Sequence, residues 1–144
     1  MENSLSPYII ALIASWITAQ GVKYIVVVVR NRTLRAFRQI YLSGNMPSAH
    51  SAAGVSVATL IGLTSGIDSA LFGLAIAFAG VIMYDAMMVR RSVGEQGKAI
   101  QELIRATKSD VKMPRAAKGH TPVEVLVGAC LGVLIGVVVF IATK

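Results

Sequence analysis

Four apolar runs of membrane-crossing length dominate this chain and leave few folds open to it. They cover about residues 7–29, 47–63, 67–89 and 122–143. At 1.5 Å of rise per residue, each reaches across or close to across a hydrocarbon layer about 30 Å thick. In lipid every backbone N–H and C=O must be paired within the chain, so such runs become helices. The expectation is an all-α integral membrane protein of one domain, 1–144, with about four transmembrane helices in a bundle. The polar segment 92–118 reads as an interfacial helix, with Val93, Ile100, Leu103 and Ile104 on one face, followed by a loop. Apolar content of 55% and mean hydropathy of +0.68 agree. The first run has no basic residue before its apolar core and no persuasive cleavage site, so it reads as a retained span.

A net charge of +7 would point a soluble protein towards nucleic acid. Here the charge flanks the spans. Arg30, Arg32, Arg35 and Arg38 follow the first run, and Arg90, Arg91, Lys98, Arg105, Lys108, Lys112, Arg115 and Lys118 follow the third. The turn at Thr64-Ser65-Gly66 has none. The positive-inside rule then places both basic loops in the cytoplasm and both termini outside, in a membrane expected to be the bacterial inner membrane. Membrane lipids, not nucleic acid, are the expected partners. The single cysteine, Cys130, excludes an intrachain disulfide and reads as a buried membrane thiol.

Polar residues collect at the cytoplasmic ends of the spans. Gly44-Asn45-Met46-Pro47-Ser48-Ala49-His50-Ser51 opens the second run, with Pro47 suited to the first helical position. Unpaired N–H groups and the helix dipole make this an anion site. Lys23 interrupts the first run seven residues before Arg30, so the two share a face; snorkelling to the headgroups is the alternative for Lys23. Asp85 sits inside the third run and should face the protein, paired with Arg90, Arg91 or Lys23. A loop ending at His120 leads into Thr121-Pro122-Val123-Glu124 and the last run. Glu124 suits either a capping box with Thr121 or orientation of the His120 imidazole.

Two stripes recur at every fourth position: His50, Gly54, Ala58, Gly62, and His120, Glu124, Gly128, Gly132, Gly136. Small residues at this spacing let membrane helices approach closely. Packing the second span on the fourth along these stripes would bring the two histidines together; a homodimer face is the alternative.

Two helix starts with several Arg and Lys favour a phosphate group. Two histidines beside it can divide the work, one attacking phosphorus and the other protonating the leaving oxygen. Metal hydrolysis by the histidines, Asp85 and Glu124 is the competing chemistry, but no close-spaced metal motif is present and the cationic surroundings oppose it. No metal or other cofactor is expected.

These residues resemble the type 2 phosphatidic acid phosphatase superfamily, which includes the vanadium haloperoxidases, and most of the chain resembles its small divergent bacterial and plant branch. Lys23 and Arg30 match the spacing of the first motif, with Asn31 for its proline. Pro47, Ser48 and His50 match the second, with Ala49 for its glycine. His120 matches the third, and Glu124 stands where its aspartate belongs. Met113 and Pro114 occupy its Ser-Arg positions, with Arg115 one place late. The resemblance implies a metal-independent phosphatase in which His120 is the nucleophile, His50 the general acid and Glu124 the orienter of His120. Lys23, Arg30 and Ser48 would clamp the phosphate, with Arg90, Arg91 or Arg115 replacing the missing arginine. The parent fold uses about six helices and usually works on the outer membrane face; about four spans and a cytoplasmic site depart from it. The resulting expectation is a phosphatase of a lipid phosphate monoester or diphosphate, acting through a phosphohistidine. A catalytically inactive lipid-phosphate binder is the alternative. A small proton-coupled transporter is disfavoured because the polar groups gather at one end of the bundle.

Overall fold

A computed structural model describes residues 5–32, 46–114, 116 and 119–144. The short helix expected over Leu34, Phe37 and Ile40 lies outside the described residues, as do Arg35, Arg38, Arg115 and Lys118. Among the described residues the chain is helical throughout: α1 (Pro7–Asn31), α2 (Ala49–Ser65), α3 (Ala70–Tyr84), a π-helical turn (Asp85–Val89), α4 (Arg90–Ala106) and α5 (Pro122–Ala142). Three stretches are long and apolar enough to cross a membrane: Pro7–Arg30, Ala70–Ala106 and Pro122–Ala142. The protein is an integral membrane helical bundle. α2 has 17 residues, about 25 Å of rise, and packs against α1, α3 and α5 at the centre of the bundle.

Local chemistry sets the boundaries. α1 and α5 both carry proline in the first turn, and Thr121 caps α5 by accepting the N–H of Glu124. α2 begins at Ala49, not at Pro47, because the Ser48 hydroxyl accepts the Ser51 N–H and so acts as the N-cap. The third span and the expected interfacial helix form one continuous helix from Ala70 to Ala106. The sequence between Tyr84 and Ser92 holds neither glycine nor proline, so nothing there ends the helix. In α4 the buried positions are Gly94, Gly97 and Ile104, while Val93, Ile100 and Leu103 are exposed.

Close approach of small residues holds the bundle together. A Cβ on Gly128, Gly132 or Gly136 would lie 2.5 Å from the Ser48 oxygen, 2.5 Å from the Ala52 oxygen and 2.7 Å from the Ser56 oxygen, respectively. The α5 glycine stripe therefore packs on α2, and within the chain that face is covered. Its partner is Ser48, Ala52 and Ser56, however, not the Gly54–Gly62 stripe expected from the sequence. Gly54 and Gly62 are turned to α3, against Ala79 and Ile82 and against Phe72. The two α2 stripes are offset by two residues, about 200° around the helix, so one serves each neighbour.

α1 contributes a third stripe, Ala11, Ser15, Ala19, Lys23 and Val27, all buried. The Ser56 hydroxyl bonds to the Ala11 carbonyl (3.2 Å) and to Ser15 Oγ (3.0 Å), joining α1 to α2. Such interhelical bonds contribute on the order of 0.6 kcal/mol each, so close packing supplies the larger share. Cys130, expected to be buried, lies exposed on the outer face of α5, about 200° from Gly128.

Candidate active site

The C-terminal end of α1, the starts of α2 and α5, and the π-helical turn meet at one end of the bundle. Backbone hydrogen bonds hold this junction together. After α4 the chain folds back along that helix. Gln101 Nε2 donates to the Pro114 carbonyl at 2.7 Å, and Gly119 lies so close to α4 that a Cβ would sit 2.6 Å from the Arg91 nitrogen. The next residue is His120. In the π-helical turn the Arg90 N–H bonds to the Asp85 carbonyl, five residues back. The Ala86 carbonyl thereby loses its usual i+4 donor, and it accepts the His120 N–H at 3.0 Å. At the neighbouring seam the Ser48 N–H donates to the Glu124 carbonyl at 3.1 Å.

His120 is 6% exposed, and its Nδ1 lies 3.1 Å from Glu124 Oε2. The same carboxylate oxygen accepts the Thr121 N–H at 3.0 Å, so capping box and imidazole partner coexist in Glu124. Burial lowers the His120 pKa below its ordinary 6.5. The hydrogen bond and charge of Glu124 oppose that shift, while Lys23 and Arg90 add to it. The net effect favours the neutral imidazole. A carboxylate on Nδ1 fixes the proton there and leaves the Nε2 lone pair free.

His50 lies in the first turn of α2 and is exposed. Arg90, His120, Asp85 and Lys23 are all within electrostatic reach of it. Lys23 is 6% exposed on the inner face of α1, within reach of Glu124 and both histidines, so it does not snorkel outward. Asp85 Oδ2 receives Arg90 Nε at 2.7 Å, both side chains being about half-buried. The π-helical turn brings residues five apart onto one face and so makes this pair.

The remaining expected site residues are more dispersed. Ser48 is fully buried, and its oxygen receives both the N–H and the hydroxyl of Ser51 (3.4 and 2.9 Å), which makes it a helix cap at the seam. Arg91 is adjacent to Arg90 but turned about 100° around the helix, paired with Glu95 at 3.2 Å. It lines a cavity of about 510 Å³ together with Gly94, Glu95, Lys98, Gly119 and His120. Arg30 is exposed in the last turn of α1, and among the described residues no contact ties it to the histidines. Arg115 lies outside the described residues. The structure thus gathers Lys23, His50, Asp85, Arg90, His120 and Glu124.

Sequence reasoning missed Glu95 and Lys98, although 91, 94, 95 and 98 share one helix face at readable spacing. The Ala86 carbonyl had no signal in the sequence.

A family model described as the divergent PAP2 family matches residues 5–135, which contain every one of these groups. The chain belongs to that family. It is 33% identical over 145 residues to the uncharacterized membrane protein YuiD of Bacillus subtilis, covering 90% of this chain and 91% of that one. No solved structure matches this divergent PAP2 protein.

Proposed function

We propose that this protein is a metal-independent lipid-phosphate phosphatase acting at the cytoplasmic leaflet of the bacterial inner membrane, with both termini outside. The observation that carries this reading is the buried His120 imidazole, its Nδ1 held by Glu124 and its Nε2 without a hydrogen bond among the described residues, beside Lys23, Arg90 and His50. Membership of the divergent PAP2 family supports a phosphatase-like relationship.

In this mechanism His120 Nε2 attacks phosphorus and the bond from phosphorus to the lipid oxygen breaks. Protonated His50 gives its proton to that oxygen as the alcohol or lipid phosphate leaves. A water deprotonated by His50 then attacks the phosphohistidine, the P–N bond breaks, and phosphate departs with His120 restored. Lys23 and Arg90 offset the charge on the phosphoryl oxygens. Glu124 is a positioning residue, holding the tautomer and the ring.

A second reading, a non-enzymatic binder of lipid phosphates, is favoured by Met113 and Pro114 standing where the phosphatase motif has Ser-Arg. Phosphate release by purified protein in EDTA separates the two, over phosphatidate, phosphatidylglycerophosphate and prenyl mono- and diphosphates. Release lost in both His120→Ala and His50→Ala is the expected result. Headgroup binding without release from any of these lipids would establish the binder.

A further inference from the structure

We propose that the apolar groove between α2, α3 and α5 holds the hydrocarbon chain of the lipid whose phosphate is bound at His50 and His120. The inference rests on the phosphatase or phosphate-binding reading of that site and adds which part of the bundle reads the tail.

The groove has a volume of about 450 Å³ and is walled by Val55 and Thr59 from α2, Phe72, Gly80 and Met83 from α3, and Val133 from α5. Its upper end adjoins the polar cluster. Val55 lies five residues beyond His50, about 7.5 Å of rise, and Met83 two residues before Asp85, about 3 Å. From Met83 to Phe72 the groove runs about 16 Å along α3, and it continues past Phe72 to Leu63 and Ile67 beside the turn that joins α2 to α3.

The groove is also too narrow for a helix. Its volume over at least that length leaves a mean cross-section of at most about 28 Å², whereas a helix with side chains is about 10 Å across. The charge above it selects the occupant further. Lys23, Arg90 and the histidines call for an anionic headgroup directly above an apolar chain. Gly80 faces open space in the groove, since a Cβ there would meet nothing within 4 Å. A second depression of about 440 Å³ at Leu12, Ile13, Trp16, Ile17 and Ala53 takes a single α2 residue and spans under two turns of α1. It serves as the control.

The test uses the full chain in phosphatidylcholine vesicles with a phosphatidate carrying a diazirine in its acyl chain. After irradiation, the expected label falls on the Val55–Leu63 and Phe72–Met83 segments. Unlabelled phosphatidate should compete it away, while added phosphatidylcholine should not. Gly80→Phe, which fills the groove, should reduce labelling about tenfold, and Ile13→Trp should leave it unchanged. In turnover, Gly80→Phe should raise KM for long-chain phosphatidate about tenfold and leave a six-carbon-chain phosphatidate unaffected. Label spread around the bundle in the wild type, or undiminished in Gly80→Phe, overturns the proposal. Absence of phosphate release from both chain lengths would instead remove the enzyme reading, and the labelling pattern would still decide the groove.

Discussion

The two histidines occupy similar places in sequence and different ones in structure. Each stands at the start of a helix that packs through small residues. His120 is buried, its N–H held by the Ala86 carbonyl and its Nδ1 by Glu124. His50 is exposed, and among the described residues its side chain makes no hydrogen bond. A nucleophile benefits from a fixed ring with one free nitrogen and little water. A group that delivers a proton, then takes one from water, benefits from access to solvent. In the proposed mechanism this asymmetry suits His120 to attack and His50 to proton transfer.

The strongest way to break this comparison is to remove each ring. His120→Ala should lower turnover by more than about 10³-fold while the helical content and thermal unfolding of the purified protein stay close to wild type. His50→Ala should lose about 10²–10⁴-fold, with phosphohistidine still detectable by acid-labile phosphate trapped on His120. Phosphohistidine that persists in His120→Ala and vanishes in His50→Ala would exchange the two roles.

Glu124 sharpens the comparison next. Glu124→Gln keeps a side chain of the same shape and removes the charge that raises the His120 pKa. Turnover should fall about 10²-fold or more as the ring loses its tautomer and orientation. The acid limb of the pH–rate profile follows loss of neutral imidazole, so in the wild type it lies below pH 6.5. In Glu124→Gln it should move to still lower pH, because burial, Lys23 and Arg90 then act unopposed. A merely structural role would lower the rate without moving that limb.

The third prediction concerns the packing that brings both helix starts to one place. Gly128→Ala sets a methyl group 2.5 Å from the Ser48 oxygen, a backbone atom with no rotamer to change. The expected loss is about 1–3 kcal/mol in stability, read as a lowered Tm in detergent. Activity should fall with it, since the Ser48–Glu124 backbone bond lies at the same seam. Gly80→Ala, where the space is open, should leave Tm unchanged.

These effects also mark what was legible beforehand. Apolar run length and the glycine stripe of α5 were enough to read a helical membrane bundle with α2 against α5, because glycine every fourth position has one main use in lipid. The α2 partner stripe was misread, since serine and alanine at 48, 52 and 56 stand out less than glycine at 54 and 62. The cluster Lys23, His50, His120, Glu124 was readable because each is a polar residue where lipid would otherwise begin. The continuity of α3 with α4 and the Ala86 carbonyl were not, since a π-helical turn is a choice of backbone hydrogen-bond partner that no side chain announces.

The smallest expected effect comes from the pair that this turn creates. Asp85 and Arg90 are both more than a third exposed, so their attraction is screened and contributes less than about 1 kcal/mol to stability. Asp85→Asn should therefore leave Tm nearly unchanged. It also removes a negative charge within reach of His50 and releases the Arg90 guanidinium from its partner. A freed guanidinium binds phosphate more readily, which should lower KM for a lipid phosphate by up to about fivefold with kcat little changed. A rise in KM would mean that Asp85 holds Arg90 in its working position. The π-helical turn would then serve to aim the arginine as well as to seat His120.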